Sequence, residues 1–400
     1  MMELKKYKFG EICDIIAGGD APKIVSVIKT KETPFPVYSN GITDEGLYGY
    51  TDKARVLKPA FTVSARGTIG VSFRRNEPYF PIVRLLSVIP KSNDVDLGYL
   101  FYYSKLLSFE KDGSVQQQLT VPMFANVDIF LPDIDTQQKT SSVLSNLDSK
   151  ISLNRAINRN LEALAKQLYD YWFVQFDFPD ENGKPYKSSG GKMVWNEVLK
   201  REVPEGWEVK SIGDVAEVYN GATPSTEDEQ NYGGDIVWIT PKDLSNQQEK
   251  FVYQGERNIS QKGYDSCSTH LLPLNTILMS SRAPIGLLAI AKSKLCTNQG
   301  FKSFVPKNKS MSTYLYYYLQ MHKKQVEQLG TGTTFKEVSR DDIMGFNIIV
   351  PENKILEKWE EILLPINNKQ LELQKETLSL IRQRDELLPL LMNGQVEVGN

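Results

Sequence analysis

Two segments in different halves of the chain carry an arginine in the same local setting. Ser64-Ala65-Arg66-Gly67-Thr68-Ile69-Gly70 returns as Ser280-Ser281-Arg282-Ala283-Pro284-Ile285-Gly286. An arginine side chain binds guanine O6 and N7, or a phosphate, through two parallel hydrogen bonds, and a neighbouring glycine permits close backbone approach. The alternative is an arginine that caps a turn through backbone carbonyls. On the first interpretation, the nucleic-acid-binding residues of these segments are Ser64, Arg66, Gly67, Thr68, Ser281, Arg282 and Pro284.

A polar segment precedes the last predicted strand of each half, at residues 113–118 and 330–334. Gln side chains pair with adenine edges, while Ser, Thr and backbone amides bind phosphates. Hairpin turns have the same composition, so both interpretations stay open. Asn298 and Gln299, and Asn40 in the segment 38–41, are weaker candidates, because Asn or Gln beside Gly is a common turn former. The candidates of the two polar segments are Gln116, Gln117, Gln118, Thr331, Gly332, Thr333 and Thr334.

The charge of the chain is unevenly distributed. A net charge of -2 argues at face value against nucleic-acid binding. However, residues 53–91 contain eight Lys or Arg and a single acid, Glu77, and residues 282–309 contain six basic residues and no acid. The two stretches occupy corresponding places in the two halves, which favours two basic surfaces over two solvated faces. Arg74 and Arg75, in the first stretch, therefore join the candidates.

Residue types that would support catalysis are scarce. The chain has two His, at 270 and 322, far apart and without a neighbouring nucleophile pattern. Three widely spaced Cys indicate neither a disulfide framework nor a zinc site. No phosphate-binding loop with the Gly-Lys-Ser/Thr ending is present, and no adenine-methyltransferase signature. We expect no catalytic residue, no metal and no cofactor.

A repeated order of elements indicates two globular domains. Each half opens with an apolar residue, Gly and an acid, at 9–11 and 212–214, and reaches an apolar run that ends in Pro132 or Pro351. Short β-rich runs between turn formers predict an α+β fold, with a twisted, mostly antiparallel sheet and short helices in each domain. No run is apolar enough to span a bilayer, so a cytoplasmic protein is expected. The predicted parts are domain 1 at 1–134, helix 1 at 135–178, a flexible link at 179–206, domain 2 at 207–350 and helix 2 at 351–400.

Each predicted domain is followed by a long helix with coiled-coil spacing. Apolar or amide residues recur at intervals of three and four, which is the pattern of a coiled-coil seam. Two such helices after two similar domains predict an antiparallel pair. Buried amides among Asn154, Asn158, Asn367 and Asn368 would set its register, or would simply be exposed at a splayed end. The predicted seam residues are Leu147, Ile151, Asn154, Asn158, Leu161, Leu168, Ile362, Ile366, Leu373, Leu380 and Leu387.

The assembled pattern resembles the specificity subunit of type I restriction-modification systems. The resemblance covers essentially the whole chain, and its motifs are EALAKQLYDYWFV at 162–174, VPEGW at 203–207 and LLPLLMNG at 387–394. It implies two target recognition domains, each reading one half of a bipartite site in double-stranded DNA. It also implies helices that dock two N6-adenine methyltransferase subunits, with further motor-nuclease subunits needed for restriction. A coiled-coil adaptor whose repeated domains bind proteins is the alternative class.

The length of the helices fits this resemblance. A helix of about 38 residues rises about 57 Å, which exceeds the roughly 34 to 36 Å of one DNA turn. The helices can thus set the length of the unread spacer between the half-sites. Removing a few residues within 154–166 is expected to change the spacer and leave both half-sites intact.

Overall fold

The chain forms two compact units, each with its own core. The computed structural model describes residues 4–109, 118–247, 249–332, 336–396 and 398. The first unit comprises residues 1–154 and 376–400, and the second comprises residues 155–375. Among the described helices, no stretch is long and apolar enough to cross a bilayer.

The sheets of the first unit are largely antiparallel. The main sheet contains, in spatial order, Cys13–Ala17, Leu86–Pro90, Ala60–Val63 and Ser72–Arg75. A smaller sheet contains Leu47–Thr51, Phe35–Tyr38 and Phe80–Pro81, of which the last two are parallel. Lys5–Lys8 pairs antiparallel with Asp128–Leu131. The short helices are Phe9–Ile12, Leu97–Ser104 and Val121–Ala125, with a 3-10 turn at Thr43–Gly46.

The second unit repeats this arrangement. Its main sheet contains Ala216–Asn220, Phe301–Pro306, Ile277–Ser280, Leu288–Ala291 and Phe251–Val252, the last pair being parallel. Its smaller sheet contains Arg257–Ile259, Tyr232–Ile239 and Cys296–Thr297, of which the last two are parallel. Glu208–Ser211 pairs antiparallel with Asn347–Val350. Its short helices include Ile212–Val215, Pro241–Gln247, Gln261–Asp265, Ser312–Met321, Lys323–Gln328 and Arg340–Met344.

The repeated apolar-Gly-acid motif begins a short helix in both units. The Glu11 carboxylate accepts a hydrogen bond from the Lys8 backbone N at 2.7 Å, and Asp214 accepts one from the Ser211 backbone N at 2.9 Å. A Cβ at Gly10 would lie 2.9 Å from Ala125 Cβ, so the glycine permits close packing against the helix Val121–Ala125. The structure confirms the predicted α+β class and the mostly antiparallel sheets.

Two long helices follow the two domains. The first is Ile134–Tyr169, which continues as π-helix over Asp170–Val174, and the second is Asn353–Met392. In the first unit, Asp148 contacts Arg384 and Asn154 contacts Glu376, so the helices run antiparallel there. In the second unit, Glu162 contacts Gln370 and Tyr169 packs on Trp359, which gives the same direction. The predicted antiparallel pair is confirmed.

The segment predicted as a flexible link contains regular structure. Met193–Asn196 and Arg201–Pro204 form an antiparallel hairpin. Before it, the Asp180 carboxylate accepts hydrogen bonds from the backbone N of Asn182 and of Lys184, both at 2.8 Å. The turn formers of this segment therefore build hydrogen-bonded turns, which corrects the expectation of flexibility.

Candidate nucleic-acid interface

The arginine segment of the first unit is a loop between two strands of the main sheet. The Ser64 backbone N donates to Val71 O at 2.8 Å, and Gly70 N donates back to Ser64 O at 3.0 Å. Gly67, at the tip, has φ +71, a backbone conformation that residues other than glycine rarely adopt. Arg66 and Gly67 are exposed. The loop therefore presents the arginine to solvent from a rigid base.

The arginine segment of the second unit has the same hydrogen bonds at the same positions. Ser280 N donates to Leu287 O at 2.9 Å, and Gly286 N donates to Ser280 O at 2.9 Å. Ala283 takes the place of Gly67 and also has a positive φ, of +48. The sequence similarity thus reflects the same closing hydrogen bonds in both units, while the second loop differs at its tip by the cis peptide bond Ala283-Pro284.

The chain that follows each polar segment lies directly against the arginine loop. Leu119 N donates to Ala65 O at 3.0 Å, and Val338 N donates to Ser281 O at 3.0 Å. The residues immediately before Leu119 and Val338 are Gln118 and Glu337. Two segments that the sequence suggested separately are therefore neighbours in both units.

The side chains that meet at this junction differ between the units. Arg66 donates to Gln118 Oε1 through Nε at 3.1 Å and through an Nη atom at 2.7 Å. Arg282 instead lies 3.7 Å from a Glu337 carboxylate oxygen. The ammonium of Lys302, whose side chain is buried, contacts the same carboxylate at 3.2 Å. A neutral amide thus orients the first arginine and a carboxylate the second.

Some candidate residues hold the loops instead of facing solvent. Ser64 is 1% exposed and its hydroxyl donates to Asn40 O at 3.4 Å. Ser281 is fully buried and its hydroxyl donates to Glu337 at 3.2 Å. Both serines are therefore corrected from candidate contacts to supports of the loop.

Arg75 is also corrected. Its side chain is 3% exposed, bonds Glu45 at 3.1 Å and stacks on the Tyr38 ring at 3.6 Å, and burial lowers its pKa. Neighbouring Arg74 is exposed and donates to Asn76 Oδ1 at 3.2 Å. Successive side chains of a strand point to opposite faces, so the basic pair cannot serve one surface.

Of the remaining candidates of the first unit, two lie at the arginine loop and two lie outside the described residues. Thr68 is partly exposed, and its hydroxyl donates to Asn40 O at 3.3 Å. Gln118 is partly exposed and bonded to Arg66. Gln116 and Gln117 lie outside the described residues.

In the second unit, several candidates adjoin the arginine loop. Ser281 N donates to Gly300 O at 2.7 Å, which joins the loop to the turn that contains Asn298 and Gln299. Gln299 is exposed and accepts a hydrogen bond from Thr223. Pro284 is exposed at the loop itself.

The other second-unit candidates belong to the polar segment. Thr331 pairs through its backbone with Glu337, at 3.1 and 3.0 Å, and both Thr331 and Gly332 are exposed. Thr333 and Thr334 lie outside the described residues.

Sequence reasoning missed one residue of these sites, Glu337. Asn40, a weak candidate because its Asn-Gly pair also predicts a turn, supports the loop: its Oδ1 accepts a hydrogen bond from Ala65 N at 2.8 Å. A signal for Glu337 was present. A polar residue, an apolar residue and a hydroxyl that caps the next helix occur in both Gln118-Leu119-Thr120 and Glu337-Val338-Ser339. Aligning these triplets would have matched Glu337 with Gln118.

The predicted helix seam is largely buried. Ile151, Asn154, Asn158, Leu373 and Leu380 are buried, and Leu147, Leu161, Leu168, Ile366 and Leu387 are partly buried. Ile362 is 40% exposed, whereas its neighbour Leu363 is fully buried. The prediction is therefore wrong at Ile362. The helix also packs against the core of the second unit, which displaces the buried stripe from a strict heptad.

The seam asparagines have different surroundings. Asn154 Nδ2 donates to Glu376 Oε2 at 2.9 Å, and Asn367 Oδ1 accepts from the Lys250 ammonium at 2.8 Å. Asn158 is buried, and its Oδ1 has no hydrogen-bond partner among the described residues. Asn368 is exposed. Partnered amides at Asn154 and Asn367 favour a role in register, while Asn368 fits the alternative of simple exposure.

In each unit a tyrosine on a short helix, Leu97–Ser104 or Ser312–Met321, donates a hydrogen bond to a carboxylate of the first long helix. In the first unit, Tyr102 OH donates to Asp148 Oδ2 at 2.7 Å, and Arg384 bonds Asp148 Oδ1 at 2.8 Å. In the second, Tyr317 OH donates to Glu162 Oε2 at 3.1 Å. Each domain is thus hydrogen-bonded to helix segments of its own unit.

The second connection includes a buried lysine. The Lys250 ammonium contacts Tyr317 OH at 2.7 Å, Asn367 Oδ1 at 2.8 Å, and Gln370 Oε1 and Glu162 Oε2 at 3.3 Å each. Burial lowers the pKa of Lys250 to about 8, against the opposing effect of the Glu162 charge. We call Lys250 and these four partners the Lys250 network.

Comparison with known proteins places the chain beside one class of protein. A family model described as the type I restriction modification DNA specificity domain matches residues 1–163 and 204–383. The chain is 42% identical over 178 residues to the type I restriction enzyme MjaIX specificity subunit of Methanocaldococcus jannaschii, covering 43% of this chain and 41% of that subunit. It is 27% identical over 376 residues to the HindI specificity subunit of Haemophilus influenzae, covering 80% of this chain and 81% of that subunit.

A solved structure shares the fold. The crystal structure of the S subunit of a type I restriction-modification system from M. genitalium superposes with a TM-score of 0.65 at 16% sequence identity. The match covers 98% of this chain and 96% of that one.

Proposed function

Because the chain belongs to the type I restriction modification DNA specificity family, we propose that it is the sequence-specific DNA-recognition subunit of a type I restriction-modification complex. Each unit reads one half of a bipartite site in double-stranded DNA, and the chain itself carries no catalytic residue. It directs adenine-N6 methylation, and restriction when motor-nuclease subunits are present, through the subunits that it binds.

The observation that carries this proposal is the pair of arginine loops. Each loop is held by the same backbone hydrogen bonds and presents Arg66 or Arg282 beside a polar partner, Gln118 or Glu337. An arginine oriented by a neighbouring side chain keeps further N–H groups for a base edge or a phosphate. Since the partners differ in charge, the two loops favour two different half-sites.

The long helices support docking of methyltransferase subunits. Leu153 is exposed on the first helix in the first unit, and Leu164 and Leu364 are exposed on the two helices in the second unit. Apolar side chains on the outer faces of paired helices are suited to a partner surface. Two units with similar helix segments fit two copies of the methyltransferase subunit.

The proposal is tested with the intact chain and its methyltransferase partners. Sequencing of methylated adenines in the host and in a strain that lacks this chain is expected to show one paired, gapped motif that disappears. A gel-shift assay with the assembled complex is expected to show binding to that motif that weakens as salt increases. Retention of the motif in the deletion strain, or a complex that binds only proteins, would contradict the proposal and favour the adaptor.

The spacer role of the helices is tested at the boundary between the two compact units. One heptad is inserted between Asn154 and Arg155 and another between Lys375 and Glu376, which leaves the contacts within each unit unchanged. Seven residues add about 10 Å to a helix, equivalent to roughly three base pairs. We expect the same half-sites with a longer spacer. The matched control carries only one insertion, which shifts the pairing of the helices and is expected to abolish methylation.

A further inference from the structure

A second exposed tip lies beside the arginine loop of the first unit. It consists of Val83 and Arg84, between the short strand Phe80–Pro81 and the strand Leu86–Pro90. Both residues have positive φ, +53 and +61. This conformation is costly for residues other than glycine, and above all for a β-branched valine. Val83 is nevertheless 47% exposed, so burial of its side chain does not explain the conformation.

The backbone around the tip is held on two sides. Val83 N donates to Gly19 O at 2.8 Å, and Arg84 N donates to Gly18 O at 3.0 Å. A Cβ at Gly18 would lie 2.8 Å from the Ile82 backbone, so only glycine permits this approach. From the other side, Asn40 Nδ2 donates to Val83 O at 2.6 Å. The surrounding structure thus determines a conformation that the tip residues themselves disfavour.

Asn40 connects this tip to the arginine loop. Its Nδ2 binds Val83 O, while its Oδ1 accepts from Ala65 N at 2.8 Å. Its backbone O also accepts hydrogen bonds from the hydroxyls of Ser64 and Thr68. One amide side chain therefore sets the position of the Arg84 tip relative to the Arg66 loop.

The second unit has a turn at the corresponding place. Tyr38 and Pro81 pair in the parallel strands of the first unit as Ile239 and Thr297 do in the second. Ile82 N donates to Tyr38 O at 2.9 Å, and Asn298 N donates to Ile239 O at 3.0 Å. By this register Val83 corresponds to Gln299, which the sequence already suggested as a nucleic-acid contact.

The tip has the chemistry of a base-reading element. Arg84 is exposed, and its guanidinium makes no hydrogen bond or ion pair with the described part of the chain. A guanidinium binds guanine O6 and N7, and an apolar side chain such as valine contacts the thymine methyl group. Exposed Arg55, whose Nη1 lies 3.2 Å from the position of a Cβ on Gly19, adds positive charge nearby.

We propose that Val83 and Arg84 form a second base-reading element for the first half-site, with Asn40 as the positioning residue that keeps it in register with Arg66. This inference rests on the proposed function. It adds at least one base position, recognised through a guanine or a thymine methyl group, to those read by the arginine loop. Gln299 serves the equivalent place in the second unit.

The test uses the assembled complex with its methyltransferase subunits and duplexes in which each position of the first half-site is varied. Arg84→Ala is expected to lower methylation of the preferred duplex by about 10- to 100-fold and to relax the preference at one base position. Preferences in the second half-site stay unchanged. The control Lys6→Ala removes an exposed cation on the strand Lys5–Lys8, outside the tip and outside the candidate residues, and is expected to leave all base preferences unchanged.

Two further variants separate reading from folding. Asn40→Asp keeps the acceptor for Ala65 N but loses the donor to Val83 O, so it is expected to relax only the position read by the tip. Val83→Gly relieves the positive φ and is expected to raise the melting temperature while it reduces base discrimination. A variant that only damages folding would lower the melting temperature and the base discrimination together.

The outcomes distinguish this inference from the proposed function. If Arg84→Ala leaves the base preferences unchanged, or weakens methylation equally for all sequences, the inference about the tip is wrong. The proposed function survives this result as long as Arg66→Ala still alters recognition of the first half-site. If neither arginine affects the half-site, the proposed DNA surface of the first unit fails with it.

Discussion

The two units use the same connection between domain and helices but place different cations beside it. In the first unit, Asp148 is bonded by Tyr102 and by Arg384, and both charged side chains are partly exposed. In the second, Glu162 is bonded by Tyr317 and by Lys250, whose side chain is almost fully buried. Exposed ion pairs contribute little to stability, whereas removing one partner of a buried pair leaves an uncompensated charge. The second unit therefore depends far more on a single cation than the first.

The arginine loops differ in a parallel way. Their backbone hydrogen bonds are the same, while Arg66 faces a neutral amide and Arg282 faces a carboxylate that also binds Lys302. The same backbone hydrogen bonds therefore occur with different charges beside the two arginines. This arrangement is the one expected if, as proposed, the two units read unlike half-sites.

Removal of the buried cation is expected to have the largest effect. Lys250→Met leaves Glu162 and Asn367 without their cation, and should lower the free energy of unfolding of the second unit by about 3 kcal/mol. Arg384→Met, the counterpart in the first unit, should cost about 1 kcal/mol. Exchange of backbone amide hydrogens, followed separately in each unit as denaturant increases, measures the two free energies of unfolding. The control Lys242→Met breaks an exposed pair with Glu256 and should leave the free energy of unfolding almost unchanged. Equal losses from Lys250→Met and Arg384→Met would remove the contrast between the units.

The arginine loops are expected to act on separate half-sites. Arg66→Ala should weaken recognition of the first half-site, and Arg282→Ala that of the second, by about 1 to 3 kcal/mol each. Methylation rates on duplexes with single changes in either half-site measure the effect. Equal losses on every sequence, with a salt slope reduced by about one, would reassign the arginines to phosphates.

Local sequence patterns predicted the parts of this contrast but not their assembly. The repeated Arg66 and Arg282 segments and the coiled-coil spacing identified loops and paired helices, because both depend on residues close in sequence. The burial of Arg75 was not predictable from a count of basic residues. It depends on which face of a strand packs against Tyr38 and Glu45, which lie 37 and 30 residues earlier in the sequence.

Long-range partners were missed for the same reason. Lys250 looks like any surface lysine in the sequence, and only folding brings Glu162, Asn367 and Gln370 around it. Ile362 fits a heptad, yet the domain core covers Leu363 instead. A helix with two packing partners has a wider buried face than a heptad describes.

Exchange of the loop partners tests the electrostatic contrast with a smaller effect. Gln118→Glu places a negative charge beside Arg66 and should weaken DNA binding by about 1 kcal/mol at low salt, because the carboxylate competes with DNA for the guanidinium. Glu337→Gln should have the opposite sign at the second half-site. Its gain will be smaller, because Lys302 loses its partner. The control Asn126→Asp adds the same charge outside the loop. If it matches Gln118→Glu, the effect is general repulsion and not a property of the junction.

The pH dependence of the second unit is the smallest predicted difference. The pKa of Lys250 is about 8 in the folded protein and its ordinary value is 10.5, so the unfolded chain binds more protons in between. Stability from this group therefore rises with pH through that window, by less than about 1 kcal/mol between pH 7 and 8.5. Denaturant unfolding of the wild-type protein and of Lys250→Met between pH 7 and 8.5 measures this change in stability. The stability of the wild-type protein relative to the variant should increase with pH, since methionine does not titrate. A difference that stays constant would mean that Lys250 keeps its proton throughout the range and that its surroundings stabilise the charge as well as water does.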